Sequence, residues 1–149
     1  MDRIAIRQAR RSDAETIATI FAKARGASMP YLPELHSAAE DIAYFRDVVL
    51  ATEVVCVAER NEIVGFCAIR DHWLNHLYVD PDHQRTGIGT ALLAVAAKQS
   101  PVLNLWVFQR NTNAIRFYKK HGFVLVKQTD GKENEEKEPD ALYRRAPSA

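Results

Sequence analysis

Gln84-Arg85-Thr86-Gly87-Ile88-Gly89-Thr90 is the stretch whose reading decides the fold. It follows a strand-like run, Leu74 to Val79, and leads into a helix-like run, Ala91 to Lys98. A helix that begins at a tight glycine turn points several unpaired backbone N–H groups at one place. The helix dipole adds partial positive charge there, so the place suits a phosphate or pyrophosphate. Gly87 and Gly89 let the backbone approach a ligand with no Cβ in the way, and Arg85 adds a fixed cation. The plain alternative is an ordinary turn punctuated by glycines. Two common phosphate loops do not fit: no Gly-Lys-Ser/Thr run follows, and Leu92 stands where a dinucleotide fingerprint needs a third small residue.

Working outward, Ile4 to Ala9 reads as a first strand. Ser12-Asp13-Ala14-Glu15 is a capping box that starts a helix at residue 13, with Ile17, Ile20, Phe21 and Ala24 on one stripe and Gly26 ending it. A second box, Ser37-Ala38-Ala39-Glu40, opens a helix that buries Ile42, Phe45, Val48 and Val49. Val54–Arg60, Ile63–Arg70 and Leu74–Val79 then form an antiparallel meander, the third strand being central. A turn at Asn61-Glu62 sets Cys56 opposite Cys67, two buried free thiols rather than a disulfide. Helix 87–98, strand 102–108, helix 112–121, strand 123–128 and a last strand near 141–145 complete the chain. The segment Thr129 to Asp140 is rich in Lys, Glu and Asn.

Length and composition bound the rest. The 149 residues are enough for one domain, 1–149, with a real core, and 47% hydrophobic and 26% charged residues are ordinary for a globular chain. A net charge of +1 gives no case for nucleic acid or an anionic membrane as partner. No apolar run has the length of a membrane span, and the opening Met1-Asp2-Arg3-Ile4 is no signal peptide. The expectation is a cytoplasmic protein. The histidines and cysteines show no metal-ligand spacing, so no metal is expected.

A second motif joins the glycine loop. Leu105 to Asn111 is a strand ending in Asn, Ala114 follows three residues later, Tyr118 four beyond that, and Gly122-Phe123 comes after the helix. Asn111 sits where a helix N-cap belongs, and Tyr118 falls on the inward face with Ala114 and Phe117. Together with Leu77-Tyr78-Val79-Asp80-Pro81 and the short form Gln-Arg-x-Gly-x-Gly, this pattern resembles the GNAT superfamily of N-acetyltransferases along essentially the whole chain. The Asn-Glu-Glu and Pro-Asp elements before the last strand are similar to a tail that recurs in bacterial members of unassigned substrate.

The resemblance implies an α/β (mixed α+β) fold of order β-α-α-β-β-β-α-β-α-β-β, with a central mixed sheet of about seven strands and about four flanking helices. It implies acetyl-CoA as acyl donor, held by Leu77, Tyr78, Val79, Gln84, Arg85, Thr86, Gly87, Ile88, Gly89, Thr90, Asn111 and Tyr118. The central strand is expected to splay from its neighbour at a bulge, where a freed N–H polarises the thioester. Asn111 either caps its helix, contacts the pantetheine arm, or does both. Tyr118 is either a core tyrosine or the acid that returns a proton to the leaving thiolate, for which a phenol is matched in basicity.

Transfer to an amine also needs a base, because an ammonium has no lone pair. His76 is the first candidate, with His72, Asp71 and Glu59 behind it; the competing role for His76 is a satisfied core or surface histidine. The acceptor is a small-molecule or protein amine, attacked directly in a ternary complex. Its site is expected between the loop carrying Tyr31, Leu32 and His36 and the segment carrying Glu135. That segment either offers carboxylates to a cationic amine or is a solvated charged loop. The alternatives to an enzyme of this kind are a non-catalytic acyl-CoA sensor on the same fold and a protein N-terminal acetyltransferase. The family also makes a homodimer an expectation.

Overall fold

A computed structural model describes residues 3–84 and 86–147; Met1, Asp2, Arg85, Ser148 and Ala149 lie outside the described residues. The strands are β1 Ala5–Gln8, β2 Val54–Arg60, β3 Glu62–Arg70, β4 Trp73–Val79, β5 Leu103–Phe108, β6 Val124–Gln128 and β7 Asp140–Arg145. They form one seven-stranded sheet of order β1-β2-β3-β4-β5-β7-β6. Helix α1 is Ala14–Ser28, α2 spans 38–52, α3 is Ile88–Gln99 and α4 is Thr112–Lys120. Strands β1 to β4 are antiparallel neighbours, β4 and β5 are parallel, and β7 inserts between β5 and β6. The mixed sheet and its element order are those the sequence led us to expect.

The sheet divides two cores. Helices α3 and α4 cover one face with Ile88, Leu92, Leu93, Leu103, Leu105 and Phe123. Helices α1 and α2 cover the other over β2 to β4, with Ile17, Ile20, Phe45, Val49, Val57 and Phe66. Among the described residues no helix is long and apolar enough to cross a membrane.

Local readings held at one helix start and failed at the other. Ser37 and Glu40 exchange both capping hydrogen bonds, at 3.1 and 2.8 Å. Ser12 caps nothing: Asp13 takes the Arg10 N–H at 2.7 Å, ending a short 3₁₀ turn, and α1 begins at Ala14. Asp13 is claimed by tertiary contact, because Arg7 of β1 meets it at 2.8 Å and also meets Glu59 of β2 at 2.6 Å. The Arg7 hydrogen bond holds the Asp13 carboxyl below its ordinary value. Gly26 does not end α1, which runs on to Ser28. It is exposed, so its cost to the helix is only about 1 kcal/mol.

Helix α2 departs from an ordinary helix. After Ala38–Tyr44 it widens into one π-helical turn, Phe45–Val49, before closing at Leu50–Thr52. The wide turn buries Phe45 and Val49 completely and leaves Val48 48% exposed, although ordinary helical spacing had placed Val48 inward. The β2–β3 hairpin differs as well. Asn61, at φ 67°, turns the chain alone, so Arg60 faces Glu62, and a bulge after Ala58 restores the register that sets Cys56 opposite Cys67. Both thiols are free and buried.

Gly65 carries a constraint that the sequence did not announce. A Cβ there would lie 3.0 Å from the Tyr78 carbonyl oxygen, 3.1 Å from Ile88 Cγ2 and 3.2 Å from Leu92 Cδ1. The missing side chain lets α3 settle on β3, which fixes where the start of α3 points. Gly65→Ala is expected to cost about 1–3 kcal/mol through overpacking, read as a lower denaturation midpoint at unchanged m-value. An unchanged midpoint would show that α3 moves aside freely.

Candidate active site

Strands β4 and β5 are joined at their start and part thereafter. Their one register pair is Trp73 with Asn104, reinforced by the Asn104 N–H donating to the His72 carbonyl at 2.7 Å. On the other side of β4, Ala68 faces His76 while Ile69 faces Leu74, so Asn75 is a bulged residue with no partner on β3. A bulge bends its strand and sharpens the local twist. Here it turns β4 away from β5, and backbone groups along 77–79 on the β5 side have no strand to pair with. The resulting cleft has a volume of about 540 Å³, within the usual range for a ligand site. Leu77, Tyr78 and Val79 form one wall and Leu105 to Phe108 the other.

The glycine loop closes one end of the cleft. Gly87, at φ +83°, is the N-cap of α3, a conformation that favours glycine. It supplies no side-chain cap, so the first N–H groups of α3 have no partner from that residue. A Cβ on Gly87 would meet nothing within 4 Å, which leaves open space above the turn. A Cβ on Gly89 would point between Phe117 and Val79, at 3.4 and 3.8 Å, both of which line the cleft. The Thr86 hydroxyl donates to the His83 carbonyl at 2.7 Å and shapes the turn.

Helix α4 forms the roof. Asn111 does two things with two atoms: Oδ1 accepts the Ala114 N–H at 3.4 Å as the helix cap, and Nδ2 reaches Met29 Sδ at 3.5 Å across the cleft. Tyr118 lines the same cavity, packed at 5.3 Å on Phe123 and 5.4 Å on Phe117. Burial raises its hydroxyl pKa, with Tyr78 and Cys67 adding to the shift, so the phenol keeps its proton at neutral pH.

His76 lies on the other face of β4. Its ring sits among Phe21, Tyr44, Phe45, Phe66 and Tyr78 at centroid distances of 5.2 to 6.3 Å. Nδ1 is buried without a hydrogen-bond partner. Desolvation, helped by the nearby Arg25 charge, lowers its pKa to about 4, so it is neutral at pH 7.

The two loops above the cleft are fastened to each other and to neighbouring elements. His36 meets Glu135 at 2.5 Å, Arg25 meets Glu136 at 3.2 Å, and Arg110 meets Glu138 at 2.7 Å while lying 3.8 Å over the Tyr31 ring. Within the second loop, the Asn134 side chain donates to the Glu138 carbonyl at 2.7 Å and accepts the Glu138 N–H at 3.2 Å. Thr129 and Asp140 bond across its neck. The charged segment is therefore an ordered loop. Its Asn-Glu-Glu and Pro-Asp elements make these closures: Glu136 and Glu138 face Arg25 and Arg110, and Glu135 bonds the His36 ring.

Of the residues singled out from sequence, Leu77, Tyr78, Val79, Gln84, Gly87, Ile88, Gly89, Thr90, Asn111 and Tyr118 all line the one cleft. Arg85 lies outside the described residues. Thr86 is exposed beside the cleft, while His76, Tyr31, Leu32, His36 and Glu135 do not line it. Sequence reasoning missed Asn75, Met29 and Phe117. Phe117 was legible as an inward neighbour of Tyr118; Asn75 and Met29 carry no local signal.

The cleft brings together an uncapped helix N-terminus, a freed strand edge and a protonated phenol, an arrangement suited to an acyl-CoA-dependent transferase. Residues 51–125 match the model of the acetyltransferase (GNAT) domain. The chain is 29% identical over 130 residues to the peptidyl-lysine N-acetyltransferase YjaB of Escherichia coli, covering 85% of this chain and 86% of that one. It is 32% identical over 123 residues to the peptidyl-lysine N-acetyltransferase YiaC of Escherichia coli, covering 81% and 84%. The solution structure of apo-form YjaB superposes with a TM-score of 0.77 at 26% identity, over 98% of this chain and 99% of that one. The PaiA N-acetyltransferase of Thermoplasma acidophilum, solved in complex with coenzyme A, has the same fold, with a TM-score of 0.76 at 17% identity over 97% and 99%. The chain belongs to the GNAT acetyltransferase family. It is an N-acetyltransferase, and its acyl donor is acetyl-CoA.

The burial of His76 has a consequence for stability. A histidine at about 4 in the fold and 6.5 when unfolded binds fewer protons in the folded state between those values. Stability therefore falls as pH drops through that window and is regained above it. The expected loss from pH 7.5 to 4.5 is on the order of 2 kcal/mol in urea titrations, and His76→Phe should remove that part of the slope. Equal slopes in both proteins would show that His76 titrates alike in the folded and unfolded chain.

Proposed function

We propose that this protein acetylates the ε-amine of lysine side chains in polypeptides, by direct attack in a ternary complex. The observation that carries the reading is the protonated Tyr118 hydroxyl inside a cleft whose other end is the bare N-terminus of α3. The two peptidyl-lysine acetyltransferases to which the chain is similar support lysine, rather than a protein N-terminus, as the acceptor. Acetyl-CoA supplies an activated acyl thioester. The first turn of α3 would hold its pyrophosphate, with Gln84 and Thr90 at the rim, and the unpaired edge of β4 would hold the pantetheine arm. Asn111 Nδ2, at Met29 in this structure, is the donor available to that arm.

Tyr118 holds its proton on Oη within the cleft and is the proposed acid for the leaving sulfur. His76 is the proposed proton acceptor on the amine side. With a pKa near 4 it takes a proton only in passing and hands it on to water, while its aromatic surroundings keep it neutral for the next encounter. Tyr31, Leu32, His36 and Glu135 form the outer wall past which the acceptor enters. The reading is of one catalytic domain, consistent with a single sheet through all seven strands, working in the cytoplasm. Exposed Val124, Leu125 and Val126 on the edge strand β6 support a homodimer.

Thiol release with a lysine peptide tests the assignment. Tyr118→Phe should lower kcat by about 100-fold while coenzyme A affinity stays within about twofold; unchanged turnover removes the acid role. Gly89→Val grows its side chain between Phe117 and Val79 and should abolish coenzyme A binding by calorimetry. Retained affinity would take the glycine loop out of the donor site.

A further inference from the structure

A second, more open hollow of about 430 Å³ adjoins the donor cleft and is lined by Arg70, Asp71, Trp73, Asn75 and Trp106. Asn75 and Trp106 line both. The hollow lies on the sheet face that α1 and α2 leave uncovered beyond β4. Its floor is aromatic: Trp73 at the start of β4, and Trp106 of β5, which is 45% exposed. Its rim is basic. Arg70 pairs with Trp73 across β3 and β4, Arg144 pairs with Asn104 next to Trp106, and Lys127 Nζ lies 5.6 Å from the centre of the Trp106 ring. None of these three cations makes an ion pair among the described residues. Asp71 is the one carboxylate in the lining. Asn75, at the junction, is held by Glu53 at 2.9 Å.

We infer that this hollow is a docking groove for the polypeptide that carries the acceptor lysine, and that it selects an acidic side chain two residues away from that lysine. The inference rests on the lysine-acceptor reading above. Continuity with the donor cleft at Asn75 and Trp106 favours a polypeptide, because the occupant must deliver an amine to that junction. An extended chain advances roughly 3.3 Å per residue and returns to the same face every second residue. A lysine entering at Asn75 therefore sets its second neighbour about 7 Å away, over Trp73 and Arg70. Unpaired cations beside the half-buried Trp73 and the exposed Trp106 favour a carboxylate there, and the indoles give the intervening backbone an apolar floor.

The chain has just two tryptophans, and both lie in this groove. Their indole N–H resonances report occupancy without any turnover. A peptide with Glu two residues from Lys should shift both signals and be acetylated with a KM about tenfold below that of its Lys-for-Glu counterpart. Arg70→Glu should reverse that preference. Arg70→Ala should raise the acidic peptide's KM severalfold, leaving the KM for acetyl-CoA and turnover of Nα-acetyl-lysine amide unchanged. If lysine peptides are acetylated but neither indole signal moves and Arg70→Glu changes nothing, the groove is overturned while the lysine acceptor stands. If the acidic peptide shifts the indoles without being acetylated, the acceptor reading fails and the groove stands. If a single-stranded oligonucleotide moves the signals and the peptides do not, the surface is a nucleic-acid face and the inference is wrong.

Discussion

The site depends on one junction: β4 and β5 meet at Trp73 and Asn104 and nowhere else in register. A parallel pair continued to Val79 would use every backbone group along it and leave no room for a ligand. Two features prevent this. The bulge at Asn75 bends β4, and α3 sits tight on β3 because Gly65 has no side chain, which places the bare helix N-terminus beside the end of β4. Backbone groups that would be costly to bury unpaired are thus left open along the cleft.

The two faces of β4 have different chemistry. Leu77 and Val79 look toward α3 and α4, where Tyr118 is buried enough to stay protonated. His76 and Tyr78 look toward α1 and α2, where a ring of aromatics keeps the imidazole neutral. The period-two alternation of a strand thus sets the protonated Tyr118 hydroxyl on one side of β4 and the neutral His76 imidazole on the other. The π-helical turn of α2 supports the second half, since it seats Phe45 against Phe21, Phe66 and His76.

Much of this was legible from the sequence where the signal is local. The strand boundaries, the Ser37 box, the glycine loop and the Asn111–Tyr118 helix each depend on neighbours within a turn or two. The misreadings share a different cause. Ser12 lost its expected box to a short turn in which Asp13, held by Arg7, takes the Arg10 N–H, and Val48 was turned outward by a wide turn that brings Phe45 and Val49 together in the core. The charged loop was open to two readings from sequence because its partners, Arg25, His36 and Arg110, are distant along the chain.

By itself the sequence determined the class of cofactor and the order of elements, because a helix started by glycines and an inward Asn–Tyr helix are properties of short segments. Tertiary structure decided the shape of the cleft, the neutrality of His76, the fastening of the two loops and the aromatic hollow beside Asn75. Each of these comes from residues far apart in the chain, brought together when β7 enters between β5 and β6 and β4 bends away. Desolvation and ion pairing depend on that assembled neighbourhood, and no run of residues carries them alone.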